Sequence, residues 1–268
     1  TLGFKDGEKE SQDMGNFYPT TVMETAGDII FFWVARMVML GLYRTKKIPF
    51  KHVYLHGLVR DRDKQKMSKS KGNVIDPLGV AEEYGTDAVR VALIAGNTPG
   101  RDTAISEDKI RGYRNFATKL WNISRFILPQ AQTYAEENAD QRRKKSPRSS
   151  ASSPHQSAII PRDKVHIKNL AKVKENVANH IESFEFHLAF ETIYHYTWHE
   201  LADKVIEEMK PRLNGNDKKS KTSAQHTLTT LLTESIKILH PFMPFITEEI
   251  YQHLQAQNNP KNDKIKEN

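Results

Sequence analysis

The first part of the chain alternates short apolar runs with polar turns, in the order that a parallel α/β sheet requires. PTTVMET, from Pro19 to Thr25, is compact and rich in β-branched residues, and it predicts a strand. Gly27 and Asp28 follow, and Asp28 is placed to cap an apolar helix that runs to Leu42. HVYLHGLVRD, from His52 to Asp61, predicts a second strand. Strand, helix and strand at this spacing are typical of a βαβ unit.

The remainder of the chain has apolar residues at spacings of three and four, which predicts helices. Asp76 and Pro77 open the first of them, another ends at Gly96, and a long helix begins near Ser106. The later helices are predicted at residues 167–184, 188–209, 228–239 and 247–254. Because polar segments connect them, they are expected to form a bundle. The predicted fold class is α/β plus all-α, with domains at residues 1–96 and 97–268.

Three segments lack the pattern of a core element. Residues 1–16 show no periodicity and predict a loose end. QRRKKSPRSSASSPHQS, residues 141–157, contains no core residue and predicts a disordered basic insertion. Its run from Arg142 to Lys145 fits either a solvated loop or a phosphate-binding segment. NGNDKKSKTS, residues 214–223, predicts a polar break between helices.

Composition narrows the class of protein. The chain is 38% hydrophobic and 27% charged, which is typical of a folded globular protein. Its net charge of +7 favours an anionic partner such as nucleic acid. The absence of cysteine excludes a disulfide framework and permits a reducing, cytoplasmic location. The most apolar run, Ile29 to Leu42, is interrupted by Arg36 and is shorter than the roughly 20 residues of a membrane span, so it predicts a buried helix. The polar start does not resemble a secretory signal.

DKQKMSKSKGN, from Asp63 to Asn73, is here called the lysine loop. It holds four lysines, two serines and a single apolar residue, Met67, and four ammonium groups cannot be buried together without partners. The loop is therefore either a solvated hairpin tip or a segment that receives a strongly anionic ligand. Lysine stems follow phosphate oxygens, serine hydroxyls donate, and Gly72 lets the backbone approach a ligand. The lysine loop and the Gly27–Asp28 segment each follow a predicted strand. Both segments are therefore expected at the ligand-binding edge of the sheet.

KMSKS, from Lys66 to Ser70, resembles the signature loop of class I aminoacyl-tRNA synthetases. TAGDIIFFWVARM, from Thr25 to Met37, is similar to a segment of valyl-tRNA synthetases, although the residue that the family has between Gly27 and Asp28 is missing. Other stretches that resemble this family are YLHGLVRD, KMSKSKGNVIDP, RNFATKLWNISRFIL, WHE and HPFMPFITEEIYQ. Isoleucyl and leucyl enzymes share the lysine loop and the helical domain, and the segment around Asp28 favours valine.

The resemblance implies a fold and a reaction. Residues 1–96 would carry the second half of a Rossmann-type parallel sheet, and residues 97–268 a helical anticodon-binding domain. The parent enzyme would use ATP with Mg²⁺ to activate valine, and would then transfer the valine to tRNA(Val). The resemblance further implies a monomer, with no membrane partner and no metal site made by the protein itself.

The resemblance also implies roles for individual residues of the lysine loop. Lys66 and Lys69 would be catalytic, and Lys69 would contact the ATP phosphates. Met67, Ser68 and Ser70 would assist it in binding ATP. For a reaction that expels pyrophosphate, such donors stabilise the charge that develops in the transition state.

Four further roles follow from the resemblance outside the loop. Gly27 and Asp28 would lie against the adenosine, with the Asp28 carboxylate accepting hydrogen bonds from ribose hydroxyls. His56 would lie near the adenine, and Trp33 would help to form the valine pocket. Each has a structural alternative, which is a helix cap for Asp28, a strand position for His56 and core packing for Trp33. The helix aromatics Trp121, Phe126, Tyr194 and Trp198 are expected to be core residues first.

The His-x-Gly-His motif of class I synthetases does not occur in this sequence. The chain is therefore interpreted as the C-terminal portion of a valyl-tRNA synthetase that cannot make the adenylate alone. A non-catalytic tRNA-binding module remains an alternative, as does a portion of an isoleucyl- or leucyl-tRNA synthetase.

Overall fold

The computed structural model describes residues 11–61, 63–67, 70, 73–144 and 159–258, without the side chains of 137–144 and 257–258. The strands are β1 (Thr20–Ala26), β2 (Phe50–His56), β3 (Val59–Arg60) and β4 (Thr103–Ala104). The helices are α1 (Gln12–Phe17), α2 (Ala35–Thr45), α3 (Pro77–Tyr84), α4 (Thr86–Ile94), α5 (Glu107–Lys144), α6 (Pro161–Glu182), α7 (Phe186–His195), α8 (Ile206–Leu213), α9 (Lys218–Leu239) and α10 (Pro244–Asn258). A 3₁₀ turn (Gly27–Ile29) and a π turn (Ile30–Val34) precede α2, and a π-helix (Tyr196–Val205) joins α7 to α8.

Contacts divide the chain into two compact units. The first comprises Thr1–Val74 and Gly96–Ala104, and the second comprises Ile75–Ala95 and Ile105–Asn268. These units follow contacts rather than chain order, and the domain boundary at residue 96 stays a prediction. The α/β plus all-α fold class is confirmed, because the first unit holds the parallel strands and the second is helical. No helix in the described part of the chain has the length and apolarity of a membrane span.

The first unit is built on the parallel pair β1 and β2. Their register runs from Thr20 opposite Phe50 to Ala26 opposite His56, so both strands end at the same edge. The predicted first strand is confirmed. The prediction of a single second strand from His52 to Asp61 is wrong. Strand β2 ends at His56, and a separate strand, β3, begins at Val59 and pairs with β4. Gly57 lies between them, where a Cβ would overlap the backbone carbonyl of Arg101, so this chain crossing interrupts the strand.

Two predictions about the segment after β1 are wrong. Asp28 is not the helix cap, because Ala26 occupies the cap position and no side chain caps the 3₁₀ turn. The apolar run is not buried either: Val34 is its only buried residue, while Phe31 is 76% exposed. The reason is that a two-stranded sheet offers α2 and the preceding turns too little surface to cover them.

The second unit is a helical bundle around one large apolar core. The largest side chains that are fully buried there include Phe116, Leu120, Phe190, Leu201, Met209 and Leu228. Trp121, Phe126, Tyr194 and Trp198 pack partly buried against this core, as expected. A smaller core of Tyr84, Ala88, Ala92, Ile105 and Ile110 lies between α3, α4 and the start of α5.

Several predicted boundaries change in the helical unit. Helix α5 continues to Lys144, so the basic insertion does not begin at residue 141; residues 145–158 lie outside the described part. The predicted helix at 188–209 contains a π-helix, and α9 begins at Lys218 inside the predicted polar break. Asp217 makes that early start possible by accepting a hydrogen bond from the Lys219 N–H (3.1 Å). Near the amino terminus, residues 12–16 belong to α1 rather than to a loose end.

Candidate nucleotide and RNA site

The candidate nucleotide site begins where β1 and β2 end. Ala26 and His56 are paired, so Gly27 and Gly57 leave the sheet at the same edge, as expected for the ligand-binding edge of a parallel sheet. Asp28 stands in the 3₁₀ turn directly after β1, with an exposed side chain that makes no capping hydrogen bond. A carboxylate in this position can accept hydrogen bonds from ligand hydroxyls.

His56 is held on both sides of its ring. Its Nε2 lies 3.3 Å from Oε1 of Glu24, and its Nδ1 lies 3.0 Å from the carbonyl oxygen of Gly57. The His56 side chain is partly exposed at the strand end. Glu24 was not among the sequence candidates. Partial burial and then the charge of Glu24 raise the pKa of the Tyr54 hydroxyl.

Trp33 lies in the π turn that follows the Asp28 turn. Its side chain is 54% exposed, so the core-packing alternative for this residue is wrong. Phe31 and Phe32 are exposed as well, and their rings meet edge to face with centroids 5.3 Å apart. The segment after β1 therefore presents aromatic surface beside an acidic residue, a combination that can contact both the apolar and the polar parts of a small ligand.

The lysine loop is organised at its base by Asp61. Its Oδ1 accepts hydrogen bonds from the backbone N–H groups of Asp63 (3.0 Å) and Gln65 (2.7 Å). Its Oδ2 accepts from the side-chain amide of Asn73 (2.6 Å), which also donates to the carbonyl oxygen of Lys66 (3.3 Å). One carboxylate thus joins the two ends of the loop. Sequence reasoning missed this contact, although aspartate two residues before a turn is a known turn signal.

The lysine loop residues that the structure describes face outward. Lys66 and Ser70 are exposed, and Met67 is half-buried. Ser68 and Lys69, which the sequence also proposes, lie outside the described residues. The described candidates Gly27, Asp28, Trp33, His56, Lys66, Met67 and Ser70 all belong to the first unit.

The segment that contains Asp102 stabilises the chain after the end of β2. Asp102 accepts a hydrogen bond from the Leu58 N–H (2.9 Å) and pairs with the guanidinium of Arg60. These contacts lower the pKa of the Asp102 carboxyl, the Leu58 hydrogen bond being the larger cause. This support was not predicted, because nothing in the sequence near residue 58 indicates a partner at residue 102.

The donor set fits a nucleotide better than a metal held by the protein. An exposed ammonium and hydroxyl suit phosphate oxygens, and an exposed carboxylate suits ribose hydroxyls. Among the residues that the structure describes, no three His, Asp or Glu side chains gather closely enough to hold a metal ion.

Comparison with known proteins agrees with this geometry. Residues 2–106 match the family of class I tRNA synthetases for isoleucine, leucine, methionine and valine, and residues 163–268 match the anticodon-binding domain of tRNA ligases. The fold resembles a Mycobacterium tuberculosis methionyl-tRNA synthetase bound by methionyl-adenylate, with a TM-score of 0.65 at 22% identity over 93% of this chain and 46% of that one. It also resembles an Agrobacterium radiobacter leucyl-tRNA synthetase solved with tRNA, with a TM-score of 0.64 at 21% identity over 88% of this chain and 28% of that one.

The chain thus combines a segment of the class I tRNA synthetase family with the anticodon-binding domain of a tRNA ligase. Within that class it is similar to valine–tRNA ligases. It is 43% identical to the Clostridium acetobutylicum enzyme over 96% of this chain, and 42% identical to the Geobacter sulfurreducens enzyme over 95% of it. In both comparisons the chain spans only 27% of the length of the curated relative.

Proposed function

We propose that this chain supplies the lysine loop and the RNA-binding bundle of a valine–tRNA ligase. In the reaction the valine carboxylate displaces pyrophosphate from ATP to give valyl-adenylate, and valine is then transferred to the terminal ribose of tRNA(Val) with release of AMP. The observation that carries the proposal is the shared edge of β1 and β2, where the Asp28 turn and His56 lie side by side. The 43% identity to a valine–tRNA ligase supports valine over isoleucine or leucine.

Each site residue has a proposed role in that reaction. The Asp28 carboxylate accepts from the ribose hydroxyls, Gly27 gives the adenosine room, and His56 borders the adenine. In the lysine loop, Lys66 and Lys69 stabilise the negative charge that grows on the leaving pyrophosphate, and Ser68, Ser70 and Met67 assist in binding ATP. Trp33 borders the valine side chain. Mg²⁺, bound to the phosphates, shares the neutralisation of charge.

The helical bundle is proposed to bind tRNA(Val). Its match to anticodon-binding domains supports this role, as does the positive net charge of the chain. A cytoplasmic monomer remains the expectation for the parent enzyme.

Two measurements test the proposal. A tRNA(Val) transcript should bind the 268-residue chain more tightly than the same transcript with a changed anticodon, and equal affinities would contradict anticodon recognition. The chain alone should not catalyse valine-dependent exchange of pyrophosphate into ATP. Exchange above the level of a Lys69→Ala control would show that it makes the adenylate unaided. If a longer parent chain bound tRNA but catalysed no exchange with valine, the non-catalytic binding module would replace the ligase.

A further inference from the structure

Helix α4 connects two parts of the protein that the family comparisons separate. It lies within the stretch that matches the synthetase domain, and α10 lies within the stretch that matches the anticodon-binding domain. Two apolar faces of α4 are buried. Val91 and Ala95 contribute to the core of the bundle, and Ala88 and Ala92 contribute to the smaller core beside α3. The helix is therefore shared between the α3 segment, which continues from the lysine loop, and the bundle.

Asp87, near the start of α4, caps α10 across 159 residues of sequence. Its Oδ2 accepts a hydrogen bond from the Ile246 N–H (2.7 Å), and its Oδ1 accepts from the Phe245 N–H (3.3 Å). The first N–H groups of a helix have no acceptor within the helix, and Pro244 has no N–H to satisfy. The carboxylate also lies at the positive end of the α10 dipole.

This cap differs from the local caps of the same unit. Helices α3 and α9 are capped by the residue that precedes each of them, Asp76 and Asp217. The residue before α10 is Met243, whose thioether is a weak acceptor. Asp87 is only 6% exposed, and a buried carboxylate is costly unless hydrogen bonds replace its water. The two α10 donors provide those bonds, so the cap and the burial of Asp87 depend on each other.

Two more contacts hold α4 in the same arrangement. Arg90 donates from Nη2 to the carbonyl oxygen of Pro241 (3.2 Å), in the turn that leads into α10. At the other end of α4, the ammonium of Lys109 donates to the carbonyl oxygen of Ala95 (2.8 Å). Helix α4 is thus bound by polar contacts at its start, middle and end.

We propose that Asp87 is a positioning residue that makes the α3–α4 segment and the tRNA-binding bundle open and close as one cooperative unit. The RNA part of this inference rests on the proposed function. Its physical basis is that α4 cannot leave the bundle without exposing the first N–H groups of α10.

Hydrogen exchange on the full 268-residue chain tests the inference. The variants are Asp87→Ala, which removes both acceptors, and Asp87→Asn, which keeps one acceptor oxygen. Asp217→Ala is the matched control, because it removes a helix cap that lies wholly within its own segment. Exchange is followed in peptides covering residues 75–95 and α10, with and without a tRNA(Val) transcript, and affinity for the transcript is measured in parallel.

In the wild-type chain, the transcript should slow exchange in residues 75–95 by at least about threefold, because RNA binding disfavours any opening that includes the bundle. In Asp87→Ala, the transcript should still bind and slow exchange in α10, while its effect on residues 75–95 is lost. Asp87→Asn should recover part of the effect, and Asp217→Ala should behave as wild type. If Asp87 were only a structural cap, its loss would raise exchange both in residues 75–95 and in α10. The transcript would then still slow exchange in both regions.

The outcomes separate this inference from the proposed function. If RNA slows exchange at residues 75–95 as much in Asp87→Ala as in the wild type, the inference is overturned. Such a result would leave tRNA binding intact. If the wild-type chain binds no tRNA, the proposed function fails and the RNA-free measurement decides. The inference then requires residues 75–95 and α10 to exchange alike in the wild type, residues 75–95 to exchange faster than α10 in Asp87→Ala, and no such separation in Asp217→Ala. If Asp87→Ala does not fold, Asp87→Asn provides the same comparison.

Discussion

The Asp163–Arg212 pair in the helical unit shows how one buried charge depends on its partners. Asp163 is fully buried at the start of α6, and its oxygens accept from Nη1 and Nη2 of Arg212, both at 2.7 Å. Ser223 donates to the same carboxylate. Burial alone would raise the pKa of Asp163, but the hydrogen bonds from Arg212 and Ser223 outweigh it and lower the pKa. The ionised form is therefore the one that stabilises the fold.

We expect Asp163→Ala to lower the free energy of unfolding by about 3–5 kcal/mol at neutral pH, because it leaves Arg212 without its buried partner. A carboxyl whose pKa is lower in the folded state stabilises the protein above its unfolded pKa, and that stabilisation is lost as pH falls through the folded value. The difference in the free energy of unfolding between wild type and variant should thus be smaller at about pH 3 than at neutral pH. Urea unfolding at these two pH values measures this difference.

Asp108 provides the control for this experiment, since it forms an exposed pair with Arg111. Asp108→Ala should change stability by no more than about 1 kcal/mol. A loss for Asp163→Ala that is the same at both pH values would mean that the ionised carboxylate is not the stabilising form.

Gly57 gives a second test at the residue scale. A methyl group there would overlap the backbone of Arg101 and Asp102, whereas one at Gly15 would meet nothing within 4 Å. Gly57→Ala should therefore speed hydrogen exchange in β2 and destabilise the first unit by about 1–3 kcal/mol. Gly15→Ala should leave β2 unchanged. Equal exchange in the two variants would show that the Arg101 segment moves aside freely.

At the scale of elements, what the sequence predicts depends on whether the cause is local. β1 and the Asp76 cap of α3 were predicted correctly, because alternation and capping are set by neighbouring residues. The start of α9 was missed because its core face carries polar residues: Ser223, Gln225 and Thr227 are fully buried there. The break in β2 was missed because its cause, the segment around Arg101, is distant in sequence.

In the candidate site, too, the features with a local cause could be predicted and those with a distant cause could not. The meeting of Gly27 and His56 at one sheet edge could be predicted, since it follows from two parallel strands. The Asp61–Asn73 contact at the base of the lysine loop could not, since it depends on how the loop returns to its start. The Asp28 cap was predicted from residue type alone, and the 3₁₀ geometry places Ala26 at that position instead.

The packing of α5 against α7 and the π-helix that follows it gives a prediction at this scale. Phe116 is fully buried and its ring meets those of Phe190, Tyr194 and Trp198. Phe116→Ala should lower the free energy of unfolding by about 3–5 kcal/mol through lost burial and a residual cavity. Phe245 is 63% exposed, and Phe245→Ala should cost no more than about 0.5 kcal/mol. Thermal or urea unfolding compares them, and similar losses would contradict the assigned core.

For the whole molecule, the positive charge predicts how RNA binding responds to salt. A chain with net charge +7 should bind tRNA largely through phosphates, and each neutralised phosphate releases counterions. The dissociation constant for a tRNA(Val) transcript should rise at least about tenfold between 50 and 200 mM salt. Fluorescence anisotropy measures this dependence. A constant affinity across that range would mean that contacts to bases and apolar groups dominate instead.

The cap that Asp87 provides for α10 also sets an order of events during synthesis. The ribosome makes Asp87 long before Phe245 and Ile246, so the carboxylate must stay hydrated until α10 has emerged. Until then α4 lacks the partner that allows its acidic side to be buried. A nascent chain stopped before Pro244 would thus carry a water-exposed anion at a position that the folded bundle keeps dry, and the emergence of α10 would allow the bundle to close.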